Sequence, residues 1–164
     1  MHDIDQLTAR FSERYGIPVR LLRAIIEVES AGNPYAMRME ANYRWLWDVR
    51  HNAPHRGGPF YAPPGASRPT ESYGQRTSWG LMQIMGATAR EIGFKGTFLS
   101  ELCDPETNLQ YGCEYLMRLY RRFGNQHGWT GVAAAYNAGS PRMTDGRYVN
   151  QEYVDRLIQA GWEE

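Results

Sequence analysis

At 164 residues the chain is long enough for one hydrophobic core, and 42% hydrophobic with 22% charged residues excludes a mainly disordered polymer. Eighteen basic residues balance eighteen acidic ones, so a formal net charge of +0 gives no long-range pull toward nucleic acid or anionic lipid. No apolar run approaches the length of a membrane span, so no stable membrane insertion is expected.

Ile4, Leu7 and Phe11 recur at helical spacing, and Gly16 predicts the end of that first helix. Pro18 opens a second helix that runs to Ser30, closed by the breaker Gly32-Asn33-Pro34. From about residue 37 to 77 the chain turns rich in glycine and proline, with Pro54, Pro59, Pro63, Pro64 and Pro69. Its aromatics (Tyr43, Trp45, Trp47, Phe60, Tyr61) are foreign to a disordered linker, so the segment reads as an ordered insertion with one short helix or hairpin. A helical pattern returns at Trp79 with Leu81, Met82, Ile84 and Met85, and ends at Gly93.

Asp104-Pro105 is a helix start, an N-cap residue followed by proline at the first helical position. That helix turns Leu109, Cys113, Leu116, Leu119 and Phe123 inward and is expected to stop at Gly124. A helix of small residues, Thr130 to Asn137, stops at Gly139, and a last one from about Glu152 to Ala160 presents Tyr153, Val154, Leu157 and Ile158. The fold class is therefore mainly α, one domain over 1–164 with an insertion at about 37–77. No repeat is visible.

With Cys103 just before that long helix and Cys113 within it, about 1.5 Å of rise per residue sets them too far apart for a disulfide, and two free thiols are expected. Met1-His2-Asp3 lacks the charged and apolar regions of an export signal. His51 and His55 are four residues apart, but Pro54 breaks the helix that would align them, and no metal site is expected. No phosphate loop or dinucleotide fingerprint is present, so no cofactor is expected either.

Chemistry is concentrated in the second helix. Leu22, Ile26 and Glu29 stand at i, i+4 and i+7, which puts Glu29 on the apolar face. Glu27 lies about 200° around the axis, beside Arg23 on the wet face. A carboxylate aimed at apolar surroundings is pushed toward the neutral form, as a general acid requires. A glutamate hydrogen-bonded to backbone or arginine near a helix end would occupy the same position, and periodicity does not separate the two.

Three further segments bear on that choice: Glu29-Ser30-Ala31-Gly32-Asn33-Pro34, Gly80-Leu81-Met82-Gln83-Ile84-Met85, and Ala134-Ala135-Tyr136-Asn137-Ala138-Gly139. In these blocks, in this order, the chain resembles the soluble lytic transglycosylase family, whose fold is lysozyme-like. The stretch from Leu102 through Asp104-Pro105-Glu106 and Asn108-Leu109 to Tyr115-Leu116 resembles that family's linking helix, and Tyr153-Val154 its last tyrosine block. Gly86 stands where the family usually has proline.

The resemblance implies a lysozyme-like helical domain that cuts the N-acetylmuramic acid to N-acetylglucosamine bond of peptidoglycan. It implies that Glu29 acts first as acid and then as base, with the substrate's N-acetyl group assisting and a 1,6-anhydro end as product. Gln83, Met85, Tyr136, Asn137, Ser30 and Tyr153 are the implied substrate-contacting residues. A hydrolase of muramidase or chitinase type on the same fold is the alternative outcome, with Asp48 and Asp145 as candidate second carboxylates, and a non-catalytic glycan-binding protein is another. The implied partner is the glycan strand, outside the cytoplasmic membrane, met by a monomer without nucleic acid. With no export signal read in the chain, a phage-encoded or virion-associated protein is the expected setting, and a secretion-apparatus enzyme is the alternative.

Overall fold

The computed structural model describes residues 3–164, so Met1 and His2 of the segment read for an export signal lie outside the described residues. About 53% of the chain is helical, which makes the fold mainly α. In chain order the elements are α1 (Ile4–Tyr15), α2 (Val19–Ser30), β1 (Met37–Met39), β2 (Trp47–Asp48), β3 (Ala53–Pro54), α3 (Arg68–Gln75), β4 (Thr77–Trp79) and β5 (Ile84–Met85). Then follow α4 (Gly86–Glu91), a 3-10 turn (Leu99–Cys103), α5 (Pro105–Ala138), β6 (Met143–Thr144), β7 (Arg147–Tyr148) and α6 (Gln151–Gln159). No helix of the described residues is long and apolar enough to cross a membrane.

The chain divides into two compact units. One is formed by the segment up to Gly32 together with Gly112–Glu164, the other by Asn33–Tyr111. In the first, Asp3 caps α1 by accepting from the amides of Asp5 and Gln6, and Gly16 ends it at φ 68°. Helix α2 ends at Ser30 as expected, and Ala31, at a left-handed φ of 50°, makes the cap ahead of Gly32. Its apolar rows are fully enclosed: Leu21, Leu22, Ala24 and Ile25 have no exposed surface. Each such leucine contributes about 1.5–3 kcal/mol. Phe11, Leu116, Val132, Ala133–Ala135 and Leu157 complete this core, whereas Ile158, expected inward, is 53% exposed on α6.

Helix α5 starts where predicted, with the Asp104 carboxylate accepting from the Thr107 amide, but it does not stop at Gly124. Gly124 stays helical and buried, and its missing Cβ makes room for the Tyr120 ring. The break falls at Gly128, whose φ 60° and ψ −168° lie in a region that only glycine visits without strain. The Glu164 side chain then caps the resumed helix by accepting from the amides of Trp129 and Thr130.

In the second unit β1, β4 and β5 form an antiparallel sheet, with Met37 opposite Trp79 and Ser78 opposite Met85. The stretch from 37 to 77 contains the hairpin β2–β3 as well as β1 and α3. The helix expected from Trp79 to Met85 is instead a strand, a tight turn and a second strand. Gly80 at φ 71° and Gln83 at φ 48° are both left-handed, which no right-handed helix accommodates. Asn108 fixes this turn, its amide donating to the Trp79 and Leu102 carbonyls and accepting from the Met82 amide. Gly86 follows, packed so closely on the backbone of Gly74 that any Cβ, a proline's included, would run into the Gly74 carbonyl. Cys103 and Cys113 are both free, and burial pushes the Cys113 thiol up to about 12.

Candidate active site

Helix α2 delivers Glu29 at its last turn, half-buried, with Glu27 exposed on the opposite side as the periodicity required. Helix α6 packs on α2 and brings Tyr153 against it. The Tyr153 hydroxyl donates to Glu29 Oε1 at 2.8 Å. Tyr153 is 2% exposed, and its phenol is pushed well above 10.0 by burial first and then by the Glu29 charge. The ring of Tyr153 also lies 5.7 Å from the Arg156 guanidinium, which pulls the phenol in the opposite direction.

Tyr136 enters from the small-residue part of α5. Ala133, Ala134 and Ala135 are fully buried, so the backbone comes close enough to seat the ring in the core. Burial and then the Glu29 charge push the Tyr136 phenol well above 10.0, and its ring tilts against Tyr115 at a centroid separation of 5.4 Å. Glu29 is thus the carboxylate whose charge acts on both phenols. A carboxylate hydrogen-bonded to one neutral phenol, with a second nearby, is oriented to hold or release a proton.

The remaining candidates of this unit have more local engagements. Ser30 Oγ donates to the Ile26 carbonyl at 3.0 Å, one helical turn back. Asn137 is exposed, and its Oδ1 accepts from Asn150 Nδ2 at 2.9 Å. Asn150 was not singled out in the sequence. Its Nδ2 also donates to the Ala134 carbonyl, and its Oδ1 is a buried acceptor without a hydrogen-bond partner among the described residues. An asparagine just ahead of a helix signals a cap, but this one reaches back to the AYNAG segment instead.

Gln83 and Met85 belong to the other unit. Gln83 Nε2 donates to the Ala36 and Gly80 carbonyls, both at 3.0 Å, and its Oε1 accepts from Ser78 Oγ at 2.9 Å. Met85 is half-buried at the end of β5. Asp48 accepts from His51 Nδ1 at 2.8 Å and from the amides of Arg50 and His51. Asp145 is exposed at φ 52° in the turn between β6 and β7. Among the described residues no group of three or more His, Cys, Asp or Glu is placed to hold a metal ion.

The chain is similar over 71 residues to the soluble lytic murein transglycosylases of Escherichia coli (strain K12) and Escherichia coli O157:H7, with 41% identity to each. The corresponding protein of Salmonella typhimurium is 39% identical over the same length. Each match covers 39% of this chain and 10% of the relative, so the chain spans a small part of these proteins. No solved structure matches. The family model of the transglycosylase SLT domain matches residues 6–156, and the chain therefore belongs to the SLT domain family.

Proposed function

We propose that the protein is a peptidoglycan lytic transglycosylase in which Glu29 alone serves as acid and then base. The observation that carries this reading is the 2.8 Å hydrogen bond from the Tyr153 hydroxyl to a half-buried Glu29, beside the buried Tyr136. In its acid form Glu29 carries the mobile proton. Glu29 gives that proton to the glycosidic oxygen between N-acetylmuramic acid and N-acetylglucosamine as the bond breaks. The neighbouring N-acetyl carbonyl of the sugar supports the positive charge at C1. Glu29, now a carboxylate, takes the proton of the C6 hydroxyl as that oxygen closes on C1, leaving a 1,6-anhydro end and consuming no water.

Family membership and the murein transglycosylase relatives support the same substrate class. Gln83 and Met85 are assigned to sugar contacts in their own unit, and Ser30 and Asn137 to bracing the backbone of theirs. The test is to incubate the protein with purified sacculi and identify the released muropeptides by mass spectrometry. Anhydro ends are the expected product, and Glu29→Gln is expected to abolish release while circular dichroism stays unchanged. Reducing ends would make the protein a hydrolase. Binding without any cleavage would reduce it to a glycan-binding module.

A further inference from the structure

The Asn33–Tyr111 unit holds a cavity of about 390 Å³. That volume lies in the range of small-molecule sites, about 300–1,000 Å³. The β2–β3 hairpin forms one wall with Trp47, Val49, Arg50 and Asn52, and the Tyr61–Pro64 segment forms another. Phe94 and Lys95, just past α4, close the third side. These walls are held rigid from beneath. Arg90 forks onto Glu71 with bonds of 2.8 and 2.9 Å, and Gln75 binds both Glu71 and the Trp47 backbone. A cavity lined on a buried ion-pair network is preformed.

Its charge is one-sided. No lining residue is acidic. Arg90 is neutralised by Glu71, whereas Arg50 and Lys95 pair with no carboxylate among the described residues. The nearest acid in sequence, Asp48, is engaged by His51. Two unneutralised cations at an apolar cavity favour a ligand that carries a carboxylate.

The aromatic rings restrict the rest of that ligand. The Arg50 guanidinium lies over the Tyr61 ring at 4.8 Å, and Arg90 lies over Phe94 at 5.1 Å. Two of the three rings therefore carry a cation over one face, and Trp47 is the lining ring with no cation against it. The lining between them is aliphatic, from Val49, Ala62, Pro63 and Pro64. That surface suits small aliphatic side chains.

We propose that this cavity binds a short acidic peptide with small aliphatic side chains, its carboxylate held between Arg50 and Lys95. On the reading of the protein as a peptidoglycan enzyme, the source is the peptide stem of the wall. The test uses the full chain with Glu29→Gln, so that binding is measured without turnover, and titrates three probes by calorimetry. These are a stem-bearing muropeptide, the same disaccharide without peptide, and the stem peptide with its carboxylates amidated. The first is expected to bind, with Trp47 and Lys95 amide resonances shifting in the NMR spectrum. Adding Arg50→Ala and Lys95→Ala should weaken it about tenfold or more, as should amidation. Equal affinity for the amidated peptide, or unchanged affinity in the double variant, would overturn the inference. Resonance shifts confined to residues outside the cavity would do the same. Binding here by a chain that never cleaves sacculi would sink the enzymatic reading and leave this site standing.

Discussion

At Glu29 the decisive geometry is an interaction between side chains 124 positions apart in sequence. The phenol of Tyr153 donates to the carboxylate, which orients it and favours its ionised form, while partial burial opposes that form. Tyr153→Phe keeps the ring and deletes the donor. The expected result is a fall in kcat of about 10- to 100-fold on peptidoglycan with KM changed little, because orientation is lost and binding is not. Stability should drop by about 1.5–3 kcal/mol, the range for a bond to a charged group. An unchanged kcat would show that the pair is structural only. Much of this was legible in the sequence: Leu22, Ile26 and Glu29 share one face of α2, and the structure keeps Glu29 half-buried and Glu27 wet. The partner was less so, since periodicity marks Tyr153 as inward-facing without saying what it meets.

At the scale of elements, the sequence is least informative where left-handed residues and buried polar groups decide the path. Leu81, Met82, Ile84 and Met85 are apolar at helix-like spacing, yet Gly80 and Gln83 turn the chain back between two strands. Gln83 adopts that conformation with its amide bonded to Ala36 and Gly80, a non-local compensation that no window of sequence contains. Helices α3 and α4 depend on a similar compensation. Glu71 and Arg90 have side chains only 1% and 3% exposed, joined by a fork, and Arg90 also donates to the Phe94 and Gly96 carbonyls. Removing one partner strands the other charge. Glu71→Ala should therefore lower stability by about 3–5 kcal/mol, measured by urea unfolding. The apolar pair Glu71→Leu with Arg90→Met should cost clearly less than the two single changes added together. Strict additivity would show that the pair itself is not what holds α3 to α4.

For the whole molecule, raised phenols make high pH a direction in which electrostatics turns against folding. The phenols of Tyr15, Tyr43, Tyr136, Tyr148 and Tyr153 are pushed above 10.0, and burial is the first cause in each. Tyr15 reaches about 12, helped by the Glu114 carboxylate that accepts its hydroxyl at 3.2 Å. Tyr136 and Tyr153 are raised further by Glu29, and Tyr148 by Glu164. A raised folded-state value means that the native chain holds the proton more tightly than the unfolded one. The stability this supplies is fully present below about pH 10 and is lost as pH rises through the folded values, for Tyr15 between 10.0 and about 12. Phenolate absorbance should therefore show a late stage coincident with loss of near-ultraviolet circular dichroism. Glu29→Gln removes a negative charge beside Tyr136 and Tyr153 but not their burial, so part of the late stage should move to lower pH and stay above 10. An identical late stage in Glu29→Gln would mean that Glu29 carries no charge felt by these phenols, and the acid assigned to the reaction would have to be sought elsewhere.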